Sequence, residues 1–322
     1  MTGAEHNLER GVAVVSIDTE MAWGGAHRRG ADAPAGEHSD ERDVIERILG
    51  VFAEHEIAAT WAIVGHLFLD HCERVDGEAH PEIVRPTYPW LTGDWFDVDP
   101  CSSRAYAPAY YAPDVIDAIR RCPVPQEIGC HSFSHAPVAG ASAAAFGSDL
   151  DACRAVAAER GVELRSFVYP RNAIDHVALL GERGFRCYRG ATVSGTAGPV
   201  GGLNGLVDRV RPVAQSAVRP VREAGGLWNI PQTYLLAPAN RCRRLPIALW
   251  TRRPIARLRQ AARVRSLFHL WFHPYNVTAD PDRALRALDV ICREAARLRA
   301  AGRLEVMTMG DLAARLDERL AC

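Results

Sequence analysis

The chain has 322 residues, 48% hydrophobic and 24% charged, with a formal net charge of −1. That composition belongs to a soluble chain able to bury a large core, and its balanced charge excludes an overall electrostatic nucleic-acid binder. No apolar run reaches the ~20 residues that span a membrane, and the N-terminal residues lack a signal-peptide core, so a cytoplasmic protein is expected.

Strand-like runs alternate with helical ones along the chain. Val12 to Ile17 is short, β-branched and uncharged, the pattern of a buried strand. Asp40 to His55 carries Val44, Ile45, Ile48, Leu49 and Phe52 at helical spacing, with Asp40 as a candidate cap. Ile57 to Val64 reads as a second strand and Gln126 to Cys130 as a third. Residues 70 to 114 interrupt the alternation with Tyr88, Trp90, Trp95, Tyr106, Tyr110 and Tyr111 among several prolines. Such a segment is either a lid or substrate wall, or an insertion packed on itself.

Ala143 to Arg160 is helical, Arg165 to Tyr169 is a strand stopped by Pro170, and Ile174 to Arg183 is a helix closed by Gly184. A glycine-rich loop occupies 195–206. Residues 240–265 hold nine arginines interleaved with Leu, Ile and Trp. They form either a solvated helix or a basic amphipathic surface for anionic lipid or a phosphate-bearing substrate. Leu227 to Tyr234 and Ser266 to Phe272 are strands, and Pro281 to Ala301 is a helix ended by Gly302. Leu304 to Met309 is the last strand, before a C-terminal helix from Asp311. Alternation of this kind predicts a parallel sheet, open or closed into a barrel. The nine cysteines form no C-x-x-C pair and read as reduced thiols.

Polar residues cluster where the strands end. Asp18 and Glu20 follow the first, His131 and His135 follow the Ile128 strand, Arg171 and Asn172 follow Val168, and His273 follows Phe272. In parallel α/β folds the C-terminal strand ends share one face, where sites sit. The H-x-x-x-H spacing of His131 and His135 places two rings on one side of a helical turn. Two imidazoles and a carboxylate suit a hydrolytic metal site, and a further carboxylate and histidine suit base and acid.

The motifs SIDTE, EIGCHSFSH, FVYPRN and LWFHPYN, in this order, resemble those of the polysaccharide deacetylase (NodB-homology) family over about residues 11–310. The resemblance implies one catalytic domain, a distorted, incomplete (β/α) barrel that removes N-acetyl groups from sugars with a divalent metal. It implies His131 and His135 as metal ligands, Asp18 as general base, His273 as general acid and Arg171 as the residue orienting the base. The opening motif departs from the family's adjacent aspartates, since Asp18-Thr19-Glu20 stands there. Glu20 is therefore assigned as third ligand, with Asp18 as the alternative. Zinc is the expected ion, with cobalt, nickel or iron also suited. The fourth motif has no clear counterpart, and GGLWNIPQTY stands in its region. An intracellular enzyme of this kind would act on a small glycoside, nucleotide sugar or lipid-linked saccharide. Alternatives are an amide hydrolase for a cyclic imide, ureide or non-sugar amide, and a non-catalytic carbohydrate- or glycolipid-binding protein.

Overall fold

The computed structural model describes residues 4–25, 39–191, 217–236 and 245–321. In chain order the strands are β1 (Ala4–Glu5), β2 (Gly11–Thr19), β3 (Thr60–Ile63), β4 (Arg74–Val75), β5 (Glu78–Ala79), β6 (Glu127–Cys130) and β7 (Ser166–Val168). They continue with β8 (Cys187–Arg189), β9 (Val221–Arg222), β10 (Trp228–Asn229), β11 (Tyr234–Leu235), β12 (Leu267–Phe272) and β13 (Leu304–Val306). All except β4 and β5 join one sheet ordered β1-β9-β10-β8-β7-β6-β3-β2-β12-β11, with β13 beside the first part of β2. From β10 to β11 every pairing is parallel, while β9 and β1 add an antiparallel edge. β2 is buried along its whole length, as expected of a strand covered on both faces.

β10 and β11 stand near opposite ends of this order, yet only Ile230, Pro231, Gln232 and Thr233 lie between them. Five Cα steps of ~3.4 Å span at most about 17 Å, so the sheet must curl back on itself. The linking segment closes the gap. Gln232 N–H donates to Gly190 O at 3.1 Å, and Thr233 N–H donates to His269 O at 3.0 Å. Pro231 has no N–H to offer a ladder, which splits the expected Leu227–Tyr234 strand into two. The result is the distorted, incomplete (β/α) barrel that the sequence implied.

Helices Ser39–His55, Pro113–Arg120, Ala143–Glu159, Val177–Glu182, Ile247–Val264, Pro281–Ala300 and Met309–Ala321 complete the fold. Asp40 falls inside the first turn of its helix rather than before it. The helix expected at Ile174 starts later, after His176 adopts a left-handed conformation. Of the basic stretch, 240–244 lies outside the described residues, as does the glycine-rich loop 195–206. The remainder is largely the helix Ile247–Val264, whose Trp250, Pro254, Leu258, Ala261 and Ala262 are buried. A Cβ on Gly11 would lie 2.6 Å from Ala262 Cα, so glycine lets this helix pack directly on β2.

The insertion packs on itself and against the barrel. Tyr88, Trp95, Phe96, Tyr110 and Tyr111 are buried, while Trp90 and Tyr106 remain exposed. Trp95 Nε1 donates to Ser134 Oγ at 2.9 Å, which seats the insertion on the HSFSH segment.

Candidate active site

Residues two apart on a strand face the same side. Ser16 and Asp18 of β2 and His269 and Trp271 of β12 accordingly line the barrel interior, with Glu20 and His273 just beyond the strand ends. Asp18 is held by Arg189, the last residue of β8, whose Nη1 and Nη2 donate to Oδ1 and Oδ2 at 2.5 and 2.6 Å. Arg189 also donates to Ser16 Oγ at 3.1 Å and Asn172 Oδ1 at 3.3 Å, and its guanidinium lies 4.5 Å from the Trp271 ring centroid. Burial alone would raise the Asp18 pKa, but the charges of Arg189 and His273 outweigh it and hold the carboxyl below its usual range. Ser16 Oγ accepts from Arg189 and shares a hydrogen bond with His269 Nε2 at 2.9 Å. Burial and then the Arg189 charge push His269 down to about 3, so it stays neutral.

HSFSH is not helical. Ser132 and His135 have φ of 66° and 59°, and this left-handed loop brings the two rings to a centroid separation of 5.0 Å. The helical-turn geometry expected from the spacing is thus replaced by a strained loop. Asp149, from the helix Ala143–Glu159, fixes it by accepting from Ser132 Oγ and from Phe133 N–H, each at 3.0 Å. Burial raises Asp149 to about 6.

Three imidazoles converge on one carboxylate oxygen. Glu20 Oε1 lies 3.2 Å from His131 Nε2, 3.1 Å from His135 Nε2 and 3.3 Å from His273 Nε2. His131 Nδ1–H donates to Val168 O at 2.7 Å, which leaves Nε2 with its lone pair facing an anion when the ring is neutral. His135 Nε2 is buried and makes no hydrogen bond despite its proximity to Glu20. A divalent cation among Glu20, His131 and His135 resolves both conflicts, and the donor set fits a zinc-class ion. Burial would raise Glu20, but the surrounding imidazoles, His135 first, draw it well below the usual carboxylate range. Gly24 leaves room for that carboxylate, because a Cβ there would collide with Glu20 Oε2.

His273 Nε2 also lies 3.6 Å from Asp18 Oδ2. Asn276 Oδ1 accepts from its Nδ1–H at 3.2 Å and from its backbone N–H at 3.1 Å, fixing the ring with Nε2 toward the cluster. Burial lowers the His273 pKa, but Glu20 and Asp18 more than offset this and raise it.

The structure therefore brings Asp18, Glu20, His131, His135 and His273 together. Arg171 is the exception: its guanidinium lies 5.8 Å from the Trp90 ring centroid, and the arginine on Asp18 is Arg189. Sequence reasoning placed Asn172 at a strand end without a role, and it missed Arg189, Ser16, His269 and Asn276. The period-two spacing of Ser16 before Asp18 and of His269 before His273 was the available signal. Trp228, in the region of the missing fourth motif, turns away to donate to Asp317 Oδ1 at 2.9 Å.

No protein-family model matches the chain, and no curated protein matches it. Among solved structures, one match is a Mycobacterium smegmatis protein assigned as a polysaccharide deacetylase. It shows a TM-score of 0.64 and 16% identity over 99% of this chain and 95% of that one. Another is the Puue allantoinase, with a TM-score of 0.57 and 12% identity over 94% of this chain and 89% of that one. These likenesses establish the fold as the polysaccharide deacetylase barrel.

Proposed function

We propose that this barrel is a metal-dependent deacetylase acting on an N-acetylated amino sugar in a saccharide, glycolipid or nucleotide-sugar precursor. One observation carries the reading: three imidazole Nε2 atoms meet Glu20 Oε1 within 3.3 Å, beside an Asp18 clamped by a buried arginine. Glu20, His131 and His135 would hold the ion, zinc or a similar cobalt, nickel or iron dication. Glu20 suits this role better than Asp18, because both Asp18 oxygens already accept from Arg189. When bound, such an ion supplies Lewis-acid polarisation of the acyl oxygen and a lowered pKa for water.

The chain's own groups do the rest. Asp18 accepts the proton of the attacking water, and Arg189 keeps its two oxygens in place. His273, with Nδ1 pinned by Asn276, delivers a proton from Nε2 to the departing amine nitrogen, so free amine and acetate leave. Tyr275, 41% exposed, stacks on His273 at a centroid distance of 4.5 Å, and Trp90, 55% exposed, stacks on Tyr88 at 4.9 Å. Flat aromatic faces near His273 and Arg171 suit the apolar faces of a sugar ring, which gives the 70–114 insertion the role of a substrate wall. The likeness to an allantoinase favours a second reading, an amide hydrolase for a cyclic imide, ureide or non-sugar amide.

Metal-reconstituted protein incubated with N-acetylated sugar precursors should release acetate, and a ureide and imide panel separates the two readings. His131→Ala should abolish metal-dependent turnover while leaving the fold intact; full turnover by that variant sinks the assignment. His273→Ala should retain its metal and lose about 10²–10⁴ in kcat. Lost metal instead would make His273 a ligand.

A further inference from the structure

A second set of ligand-type side chains lies outside the proposed reaction. His66, His80 and Asp99 are buried and Cys72 half-buried, between the barrel and the aromatic insertion. Asp99 Oδ2 is 3.0 Å from His66 Nε2 and 3.0 Å from His80 Nε2. Cys72 Sγ is 3.7 Å from His66 Nε2 and 3.6 Å from Asp99 Oδ2. Tetrahedral bonds of ~2.0–2.1 Å to nitrogen and oxygen and ~2.3 Å to sulfur give N···O edges of about 3.3 Å and S···N edges of about 3.6 Å. Four of the six edges therefore already lie within a few tenths of an ångström of a tetrahedral shell, and all the ligand atoms lie within 4.8 Å of one another.

Proton counting points the same way. His66 Nδ1 faces the Tyr110 carbonyl at 3.0 Å, and a carbonyl only accepts, so that nitrogen carries the proton. The Nε2 lone pair of a neutral ring would then point at the Asp99 carboxylate. His80 Nε2 meets the same Asp99 oxygen, while its Nδ1 lies 3.4 Å from the exposed Glu82 carboxylate. Two imidazoles, their ring centroids 5.1 Å apart, thus crowd one buried carboxylate oxygen, an arrangement that a shared cation would stabilise. With a dication, two neutral imidazoles, a thiolate and a carboxylate sum to zero charge. The outer contacts fit as well. Asp99 Oδ1 accepts from Cys101 N–H at 2.9 Å, and the Tyr111 hydroxyl accepts from Ser102 N–H at 2.8 Å and lies 3.1 Å from Cys72 Sγ and 3.4 Å from Asp99 Oδ1.

We propose that His66, Cys72, His80 and Asp99 form a second, structural metal site for a zinc-class dication. Four protein ligands close the shell, and binding releases the Cys72 thiol proton, with any proton on the ligating Nε2 atoms of His66 and His80, to solvent without any redox step. The site ties the insertion to the catalytic loop. His66 N–H donates to Phe133 O at 2.8 Å, and the Phe133 ring packs on His66 and His80 at 5.7 and 5.0 Å.

The test uses the full chain carrying His131→Ala and His135→Ala, purified under reductant and loaded with cobalt(II). This variant should keep about one ion per chain and show thiolate-to-cobalt charge-transfer absorption, which nitrogen and oxygen ligands cannot produce. Adding Cys72→Ser should remove both the band and the ion, together with the loss of melting temperature that chelator causes in the parent variant. His80→Gln keeps the thiolate and serves if Cys72→Ser fails to fold; it should weaken cobalt binding at least tenfold. A metal-free parent variant, or an ion retained unchanged without Cys72 or His80, overturns the proposal. Neither result touches the deacetylase reading, which rests on other residues.

Discussion

Asp18 and Arg189 form an ion pair that water barely reaches, with side-chain exposures of 3% and 0%. Such a pair adds little net stability over an apolar one, but removing one partner strands the other. Arg189→Met should therefore destabilise the fold by about 3–5 kcal/mol, read from denaturant unfolding. Asp18→Asn added to it should recover part of that loss without restoring turnover. An Arg189→Met single variant as stable as the parent would show that the pair is not buried in solution. Arg171→Ala should leave the Asp18–Arg189 pair in place, because both Asp18 oxygens already accept from Arg189. The residues named by the motifs were legible because strand ends converge on one face. Arg189 was not, since Cys187-Tyr-Arg is too short a run to read as a strand. Only its position in the barrel turns it toward Asp18.

The loop HSFSH and the helix behind it act as one element. The left-handed Ser132 and His135 cost conformational energy that the Asp149 hydrogen bonds offset. Long periodic helices such as Pro281–Ala300 were legible almost to the residue, because an amphipathic pattern over five turns leaves little choice of register. The loop's conformation was not, because H-x-x-x-H spacing fits a helical turn equally well and only the tertiary anchor decides. Asp149 makes that anchor titratable. Its folded pKa of about 6 exceeds the ordinary 3.8, so the folded state binds more protons between these values. The stabilisation is full below pH ~3.8 and is lost as pH rises through about 6. Asp149→Asn has no such titration. The stability of wild type relative to this variant should fall by ~3 kcal/mol between pH 4 and 7, at ~1.4 kcal/mol per unit. A difference constant with pH would mean that Asp149 remains ionised throughout.

At the scale of the molecule, the barrel closes through a proline-interrupted segment that local patterning marks only as one strand. Its two ends serve opposite edges, which no local signal encodes. The same scale decides how the arginine-rich helix Ile247–Val264 behaves. A helix that inserts into a lipid surface needs an apolar face free to leave water. Here that face, Trp250, Pro254, Leu258, Ala261 and Ala262, is already buried in the protein. Arg257 donates to Thr233 O, and Arg259 donates to Glu294 Oε1 at 2.7 Å, so part of the charge is committed within the chain. Arg252, Arg263 and Arg265 remain on the exposed side. A contact of this face with anionic lipid or a phosphate-bearing substrate would be electrostatic, without the apolar insertion that makes attachment salt-resistant. Sedimentation with anionic vesicles at low ionic strength should detect it, and raising salt to ~1 M, where the Debye length is ~3 Å, should release the protein. Arg252→Gln with Arg263→Gln should weaken the low-salt binding several-fold and leave deacetylation of a soluble uncharged substrate unchanged. Binding that survives high salt would require an apolar contact this helix cannot supply, and absent binding at low salt would leave the exposed arginines as a solvated face.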